Sequence, residues 1–321
     1  MKINNWLKKH CSSVAGKTIV ITGTTGGIGN EVLKHLAFLN ATVIAGVRNT
    51  ERAKTMLEEI KKDYPHFNAT VLKIDLHSVQ SIKSFADEVN KLCPNGIDAL
   101  INNAGVYAQQ TEILESGYEK HFFVNCIAPA LLSKLLTQAL SKKQNAKILF
   151  VSSISVFFTK VNPDDINSLK VKNKTKIYAR SKRWLTYYAK QLAKENQNSN
   201  INISIVHPGI TASSLFMPKH NGIRKVFYPV LNFMMKLIFP HSKKASLSEV
   251  FALTLTTKPD DWVGPTKVFN IYGLPKLKTL KLKPEKEKIQ LLCYNTIDEI
   301  INNVWNCIFY LTLYQILHFY L

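Results

Sequence analysis

Cysteines are few in this sequence and follow no regular spacing. The chain has five among 321 residues, with no CxxC pair and no Cys/His cluster at metal-ligand spacing. They are Cys11, Cys93, Cys126, Cys293 and Cys307. Because an odd and scattered set supports neither a disulfide framework nor a metal site, we expect reduced thiols in a cytosolic protein without a bound metal.

The chain also lacks the usual markers of export and of nucleic-acid binding. Its first residues, MKINNWLKKHCSSVAGK, contain no apolar run of the kind that a signal peptide needs. It contains no internal repeat and no helix-turn-helix, RNP or zinc-finger signature. We therefore expect neither secretion nor a nucleic-acid partner.

Acidic residues are scarce relative to basic ones. The chain has 22 Asp and Glu against 42 Lys and Arg, which gives a formal net charge of +20. A surface this basic favours polyanions. With nucleic acid ranked last, the remaining candidates are anionic lipid headgroups and phosphorylated cofactors.

Short β-branched runs alternate with longer helical stretches through most of the chain, and 46% of the residues are apolar. The runs are TIVIT, TVIAGV, TVLKI, DALIN, KILFVS, NISIV and KVFNI, beginning at residues 18, 42, 70, 98, 147, 202 and 267. Alternation of this kind predicts βαβ units around a parallel sheet covered on both faces. We predict an α/β fold: a Rossmann-type, doubly wound, seven-stranded parallel sheet in one domain over residues 16–274, after an N-terminal segment, residues 1–15.

A glycine-rich turn follows the first predicted strand. Residues 22–29 read TGTTGGIG, and the apolar positions 28, 32, 33, 36 and 39 predict a helix over residues 27–39. Glycines let the backbone approach a pyrophosphate, which the amide groups at the start of the helix stabilise. The spacing fits both TGxxxGxG and TGxxGxxG, and a plain strand-to-helix turn is the alternative while the motif stands alone.

The residue after the second predicted strand indicates which dinucleotide is preferred. An enzyme specific for NAD usually carries an acidic residue there for the ribose 2′-hydroxyl. This chain reads AGVRNTERA, with Arg48 and no acidic residue before Glu51. Arg48 suits a 2′-phosphate, so we expect preference for NADP(H), with NAD(H) as the less favoured cofactor. A solvated arginine at a strand end is the alternative interpretation.

Five ordered motifs resemble those of the short-chain dehydrogenase/reductase family over about residues 16–273: TGTTGGIG, NNAG at 102–105, a serine, YxxxK and HPG. The resemblance implies a catalytic tetrad of Asn125, Ser153, Tyr178 and Lys182. It also implies that the cofactor contacts Gly23, Thr24, Thr25, Gly27, Ile28, Gly29, Arg48, Asp75, Leu76, Asn103, Ala104, Gly105, Tyr178, Lys182, Pro208, Gly209 and Thr211.

The spacing within the motifs is similar to that of the retinol dehydrogenase-like branch. Ser153 and Tyr178 are 25 positions apart, with NPDDINS inserted between them, and the apolar stretch 225–240 matches that branch's substrate loop. Three departures stand out: Asn30 replaces a basic residue, CIAPALL follows Asn125, and RWL follows Lys182. None removes a member of the tetrad.

Tyr178 and Lys182 are four positions apart, so a helix places them on one face. A neighbouring positive charge favours the phenolate, and Tyr178 is expected to act as general acid and base. The resemblance assigns Ser153 to the substrate oxygen, Lys182 to the nicotinamide ribose, and Asn125 to the helix and a proton-relay water. Taken alone, YxxxK is more often a solvated helix face, so the inference depends on the order of all five motifs.

We therefore predict an NADP(H)-dependent oxidoreductase that interconverts an alcohol and a carbonyl on a hydrophobic molecule such as a retinoid, steroid or polyprenyl compound. A catalytically silent cofactor-binding scaffold is the alternative, which the intact tetrad disfavours. The resemblance also leaves a homodimer open.

The C-terminal part has a different composition. Residues 275–299 are rich in lysine and are interpreted as a linker or exposed basic stretch, and residues 300–321 form an uncharged tail. With the stretch 225–240, these segments predict attachment to an anionic cytoplasmic membrane surface, of the endoplasmic reticulum or a lipid droplet. A tail packed as an ordinary helix is the alternative.

Overall fold

The fold is described from a computed structural model that covers residues 2–107, 109–209, 242–267, 270–282 and 287–319, with side chains in the last range as far as Val304. The apolar stretch 225–240 and Thr211 lie outside the described residues.

An eight-stranded sheet forms the centre of the molecule. Its strands are β1 (Thr18–Thr22), β2 (Thr42–Val47), β3 (Ala69–Lys73), β4 (Ala99–Asn102), β5 (Ala146–Val151), β6 (Ile201–Val206), β7 (Asp261–Lys267) and β8 (Tyr272–Thr279). They lie in the order β3-β2-β1-β4-β5-β6-β7-β8, and every pairing is parallel except that of β7 with β8. The crossover at β1 and β4 is the switch point of a doubly wound sheet, which confirms the predicted fold class.

Helices cover both faces of the sheet. They are α1 (Ile3–Cys11), α2 (Gly27–Phe38), α3 (Thr50–Asp63), α4 (Val79–Leu92), α5 (Lys120–Phe122), α6 (Ala128–Leu135), α7 (Thr137–Ser141), α8 (Lys174–Glu195), α9 (Ser242–Ala245), α10 (Leu247–Ala252) and α11 (Glu287–Phe319). A π-helical turn, Phe123–Ile127, joins α5 to α6. One apolar core lies between the sheet and α4, α6, α8 and α11, and a second between the sheet and α1, α2, α3 and α10.

The last two strands differ from the prediction. The seventh strand was expected at residues 267–271, but β7 ends at Lys267, and β8 adds an antiparallel eighth strand. Pro265 makes DWVGPTK look unlike a strand. Only Trp262 and Val263 pair with β6, however, and Pro265 faces Pro275 of β8, so neither proline has to donate a ladder hydrogen bond.

Residues 275–299, interpreted as a linker, contain most of β8 and the first turns of α11. Lysines are common on edge strands because their charge opposes pairing with another sheet. Lys276 is exposed on β8, whereas Pro275 and Leu280 are buried. The basic composition therefore reflects an edge strand over part of this segment.

The helix α11 packs along α8. Three isoleucines of α11 are buried against the core: Ile297, Ile300 and Ile301. The rings of Tyr188 and Tyr294 stack with their centres 5.3 Å apart. Two ion pairs flank this contact. These are Lys194–Glu287, 3.1 Å, and Lys134–Asp298, 3.0 Å. Within the described part of the chain, no helix is both long enough and apolar enough to span a membrane.

Candidate active site

A cavity of about 760 Å³ opens at the carboxyl ends of the parallel strands, where ligands of doubly wound sheets bind. Most residues predicted to contact the cofactor or substrate line it: Gly23, Thr25, Gly27, Ile28, Gly29, Arg48, Asp75, Leu76, Asn103, Ala104, Gly105, Ser153, Tyr178, Lys182, Pro208 and Gly209. Thr24 and Asn125 lie behind this lining, each almost fully buried.

The glycine turn between β1 and α2 packs closely against the NNAG segment. Gly23 has φ +76°, and a Cβ there would lie 2.7 Å from the Ala104 Cα atom. A Cβ on Gly29 would lie 2.4 Å from the Gly23 carbonyl oxygen. Asn103 Nδ2 donates to the carbonyl oxygens of Thr22 and Gly23, at 2.8 and 3.1 Å. The two motifs therefore form one unit, in which a side chain at either glycine would displace the backbone.

The start of α2 fits a phosphate group. Gly26 precedes the helix without a side-chain cap, and the first turn carries no acidic residue, so its amide groups face the cavity with the positive end of the helix dipole. Thr24 Oγ1 is enclosed and, among the described residues, has no hydrogen-bond partner. A donor set of this kind suits the pyrophosphate of a dinucleotide.

Two arginines stand beside the end of β2. Arg48 follows the strand, and Asn49 caps α3 by accepting a hydrogen bond from the Arg52 amide at 2.9 Å. Both arginine side chains are exposed and line the cavity. Arg52 was missed by the sequence reasoning, although its position in the first helical turn after Arg48 was a readable signal.

Asp75 follows β3 and lies close to Arg48. Burial opposes its ionisation, but hydrogen bonds from the His77 amide (3.0 Å) and ring (2.6 Å), with the charge of Arg48, lower the pKa of Asp75 overall. Asp75 is thus a carboxylate that is held in place at the edge of the cavity.

The helix α8 carries Tyr178 and Lys182 to the other end of the cavity. Burial raises the pKa of Tyr178 to about 12, and a hydrogen bond with Ser153 acts in the opposite direction. Burial lowers the pKa of Lys182 to about 8, and its Nζ donates to the Val151 carbonyl oxygen at 2.7 Å. The pKa of Tyr178 is therefore raised, opposite to the expected direction, because burial outweighs the hydrogen bond with Ser153.

Asn125 lies in the π-helical turn before α6. Its Oδ1 accepts from the Val106 amide at 2.8 Å, and its Nδ2 donates to the Val106 carbonyl oxygen (2.9 Å) and to Ser181 Oγ (3.0 Å). A Cβ on Gly105 would lie 2.9 Å from Asn125 Oδ1. Asn125 thus joins the loop after NNAG to the helix that carries Tyr178 and Lys182.

Two further residues, one beside Tyr178 and one near Lys182, escaped the sequence reasoning. The Tyr107 ring meets that of Tyr178 edge to face, with centres 4.7 Å apart. It is an aromatic two residues after NNAG, which was the only signal. Glu249 of α10 is fully buried, and both its carboxyl oxygens lack a hydrogen-bond partner among the described residues. Burial raises its pKa to about 8, whereas the charge of Lys182 acts to lower it. The sequence contains no signal for this electrostatic interaction.

The insert between Ser153 and Tyr178 is fixed by its own acidic and amide side chains. Asp165 accepts from the Leu169 amide at 2.8 Å and pairs with Arg180 of α8 at 3.5 Å. Asn167 Oδ1 accepts from the Glu119 amide at 2.9 Å. The insert therefore packs against the loop before α5 and against α8, at a position two residues after Tyr178.

Comparison with known proteins agrees with this geometry. The family model described as short chain dehydrogenase matches residues 17–223. Retinol dehydrogenase 14 of Mus musculus is 29% identical over 255 residues, which cover 76% of this chain and 75% of that protein.

Solved structures share the fold. A crystal structure of an uncharacterised protein from Mycobacterium paratuberculosis superposes with a TM-score of 0.69 at 21% identity, covering 90% of this chain and 94% of that one. The Pseudomonas aeruginosa RhlG/NADP active-site complex gives a TM-score of 0.61 at 19% identity, covering 78% of this chain and 95% of that one.

Proposed function

Because the chain belongs to the short-chain dehydrogenase family, in its retinol dehydrogenase-like branch, we propose that it is an NADP(H)-dependent oxidoreductase. It interconverts an alcohol and a carbonyl on a hydrophobic substrate. The observation that carries the proposal is one cavity with a phosphate-binding glycine turn at one end and Ser153, Tyr178 and Lys182 at the other.

The residues at the catalytic end divide the proton chemistry between them. A bound nicotinamide supplies or accepts the hydride. With a pKa of about 12, Tyr178 is protonated at neutral pH, so its Oη can donate a proton to the substrate oxygen during reduction and take it back during oxidation. Ser153 holds the same oxygen by a hydrogen bond. Reduction should persist across neutral pH, and oxidation should accelerate as the pH rises.

Lys182 and Asn125 act behind these two residues. The Lys182 ammonium donates to the Val151 carbonyl oxygen and lines the cavity, where it would hold the nicotinamide ribose. Asn125 holds the loop and the helix together through Val106 and Ser181. In the proposed site they bind the cofactor and maintain the geometry of the proton transfer.

The proposed preference for NADP(H) rests on Arg48, with Arg52 beside it. Guanidinium groups bind a 2′-phosphate strongly, and the ribose hydroxyl of NAD offers them no charge. The Pseudomonas aeruginosa structure is a complex with NADP. We expect Arg48→Glu to weaken NADPH binding by about 30-fold and to leave NADH binding within about 3-fold. A variant that discriminates between the two cofactors as the native protein does would exclude this assignment.

The proposed substrate is apolar because apolar side chains contribute to the cavity lining. Ile154, Phe158 and Val106 line the cavity, and the named relative is a retinol dehydrogenase. We propose a retinoid, steroid, polyprenyl or other lipid as the substrate. The proposed catalytic unit is the α/β domain of residues 16–274.

The test of the function is oxidation of NADPH, with NADH in parallel, by the purified protein against retinal, steroid ketones, polyprenals and fatty aldehydes. Tyr178→Phe removes only the phenol, so its rate should fall by about 1,000-fold with cofactor binding unchanged. Equal rates in the two proteins would exclude Tyr178 as the acid. Cofactor binding without turnover of any substrate would favour the silent scaffold.

The proposed location is the cytoplasmic face of an intracellular membrane, either endoplasmic reticulum or lipid droplet. Lysines and apolar side chains are both exposed between residues 158 and 176, a range that ends in the first turn of α8: Phe158, Lys160, Leu169, Lys170, Lys172, Lys174 and Lys176. Anionic headgroups attract such lysines, and apolar side chains enter the interface. Phe158 and Thr175 also line the cavity, so this surface would direct the cavity toward the lipid.

Vesicle flotation tests this surface. Binding to phosphatidylserine vesicles should exceed binding to phosphatidylcholine vesicles and should fall when Lys170, Lys172 and Lys174 are changed together to Glu. The same change at Lys54, Lys61 and Lys62 on α3 is the control. Equal losses in the two triple variants would indicate only a general effect of charge. Deletion of residues 300–321 measures the contribution of the tail to vesicle binding.

A homodimer is also proposed as an open possibility. It would have to form without the face of α8 that α11 covers.

A further inference from the structure

Two consecutive cationic residues of α8 hold the backbone on either side of Ser153. Lys182 Nζ donates to the Val151 carbonyl oxygen at 2.7 Å, at the end of β5. Arg183 Nη1 donates to the Val156 carbonyl oxygen at 2.6 Å. Ser153 lies between these two carbonyl groups, at the start of the 3₁₀ turn Ile154–Phe158. The segment that presents the serine hydroxyl is therefore fixed at both ends by one helix.

Arg183 is an unusual residue at such a position. Only 1% of it is exposed, and burying a charged side chain costs several kcal/mol unless it is well hydrogen-bonded. Its Nε donates to the Tyr187 hydroxyl at 3.0 Å, and its guanidinium carbon lies 5.2 Å from the centre of that ring. These contacts offset the desolvation and hold the guanidinium in one orientation.

The 3₁₀ turn depends on Ser153 itself. Ser153 Oγ accepts a hydrogen bond from the Ser155 amide at 3.2 Å and so caps the turn. Because the Arg183 guanidinium holds the Val156 carbonyl within the same turn, a shift of that carbonyl moves the cap. Ser153 Oγ would then move relative to the Tyr178 hydroxyl.

We propose that Arg183 is a positioning residue for the reaction: through the Val156 carbonyl it sets the distance and direction between Ser153 Oγ and Tyr178. This inference rests on the proposed function. The hydrogen bonds of Arg183 within the described part of the chain go to Val156 and Tyr187 and not to Ser153 Oγ or the Tyr178 hydroxyl, so the proposed effect passes through Ser153. That requirement separates the proposal from a general role of a buried arginine in stability.

A double-mutant cycle tests the requirement. Arg183→Met is expected to lower kcat by about 30-fold, since small displacements of a catalytic group cost rates of this order. In a Ser153→Ala background the same change should lower kcat by less than about 3-fold, because the group that it positions is already missing. A loss of equal size in both backgrounds would overturn the proposal.

The pH profile gives a second measurement. The hydrogen bond with Ser153 opposes the rise that burial causes in the pKa of Tyr178, so a displaced serine should move the rise of alcohol oxidation to higher pH in Arg183→Met. Ser153→Ala should shift it in the same direction. An unchanged profile with a reduced kcat would also count against the proposal.

Two variants keep the test informative. Arg183→Lys retains a cation with one donor nitrogen, so its kcat should lie between those of Arg183→Met and the native protein. If Arg183→Met does not fold, Arg183→Lys replaces it in the cycle. Lys190→Met is the control, because Lys190 is another buried cation of α8 and pairs with Asp260 at 2.8 Å. It should leave kcat and the pH profile unchanged.

If the native protein binds NADPH but turns over no substrate, the proposed function fails. Native turnover with an equally active Arg183→Met would overturn this inference alone.

Discussion

The two ends of the cavity, the proposed cofactor end at the glycine turn and the proposed catalytic end at Tyr178, are held together in different ways. At the cofactor end, two short motifs lie close together in space. The Asn103 side chain donates to the backbone carbonyl oxygens of Thr22 and Gly23, and the glycines permit this close approach. At the catalytic end, long charged side chains of α8 reach across to other elements. Lys182 contacts Val151, 31 positions away, and Arg180 contacts Asp165.

The difference shows which part of a site a sequence can encode locally. A glycine turn works because a few adjacent residues lack side chains, so its spacing alone carries the geometry. A buried lysine or arginine works only when the fold supplies an acceptor, and that acceptor has no sequence signature. We therefore expect substitutions at the two ends to affect different measurements.

The largest effect should come from closing the cofactor end. Gly29→Ala places a Cβ 2.4 Å from the Gly23 carbonyl oxygen and 2.8 Å from Asn103 Nδ2, so the turn and NNAG must separate. We expect NADPH binding, followed by its fluorescence, to weaken by at least about 100-fold, or about 2.7 kcal/mol. The pairs at the catalytic end should persist, since they do not involve this turn.

Gly26→Ala is the matched control within the same turn. Its Cβ would lie 3.5 Å from the Gly23 carbonyl oxygen, an ordinary contact, and its φ of −85° suits alanine. NADPH binding within about 3-fold of the native value is expected. If both variants lost binding equally, the close approach would not explain the need for glycine.

The catalytic end should be sensitive to the charge of Glu249. Burial raises its pKa to about 8, so between about pH 4.5 and 8 the folded protein holds a proton that the unfolded chain has released. Stability therefore falls as the pH rises through this range. Glu249→Gln removes the titration, and its advantage over the native protein should grow by about 4 kcal/mol from pH 5 to pH 8.5, measured by urea unfolding.

Glu51→Gln is the control for this pH dependence, since Glu51 is exposed on α3. Its difference in stability from the native protein should stay constant across the same range. If Glu249→Gln behaved in the same way, Glu249 would be ionised and paired in the folded protein.

The same division decided what could be predicted. The strands β1 to β6 and the glycine turn followed from periodicity and spacing, because each depends on neighbouring residues. The convergence of NNAG with YxxxK was implied only by the family resemblance of the ordered motifs. The strand β7 was misplaced because Pro265 conceals it, and its tolerance depends on a partner strand that the sequence does not reveal. The contacts of Arg183 and Glu249 were not predictable for a related reason: both are ordinary charged residues until the fold buries them.

The smallest expected effect concerns the insert beside the catalytic end. Asp165 and Asp164 are adjacent, yet Asp165 is buried and pairs with Arg180, whereas Asp164 is exposed. Asp165→Ala leaves the Leu169 amide and Arg180 without this acceptor, so the free energy of unfolding should fall by about 1 kcal/mol. Asp164→Ala should change it by less than about 0.5 kcal/mol. Because Asp165 pairs with Arg180, two residues after Tyr178 on α8, Asp165→Ala should also raise the KM for the carbonyl substrate about 3-fold with NADPH binding unchanged. Weakened NADPH binding in this variant would show that the two ends of the cavity are coupled through α8, and the separation between them would no longer hold.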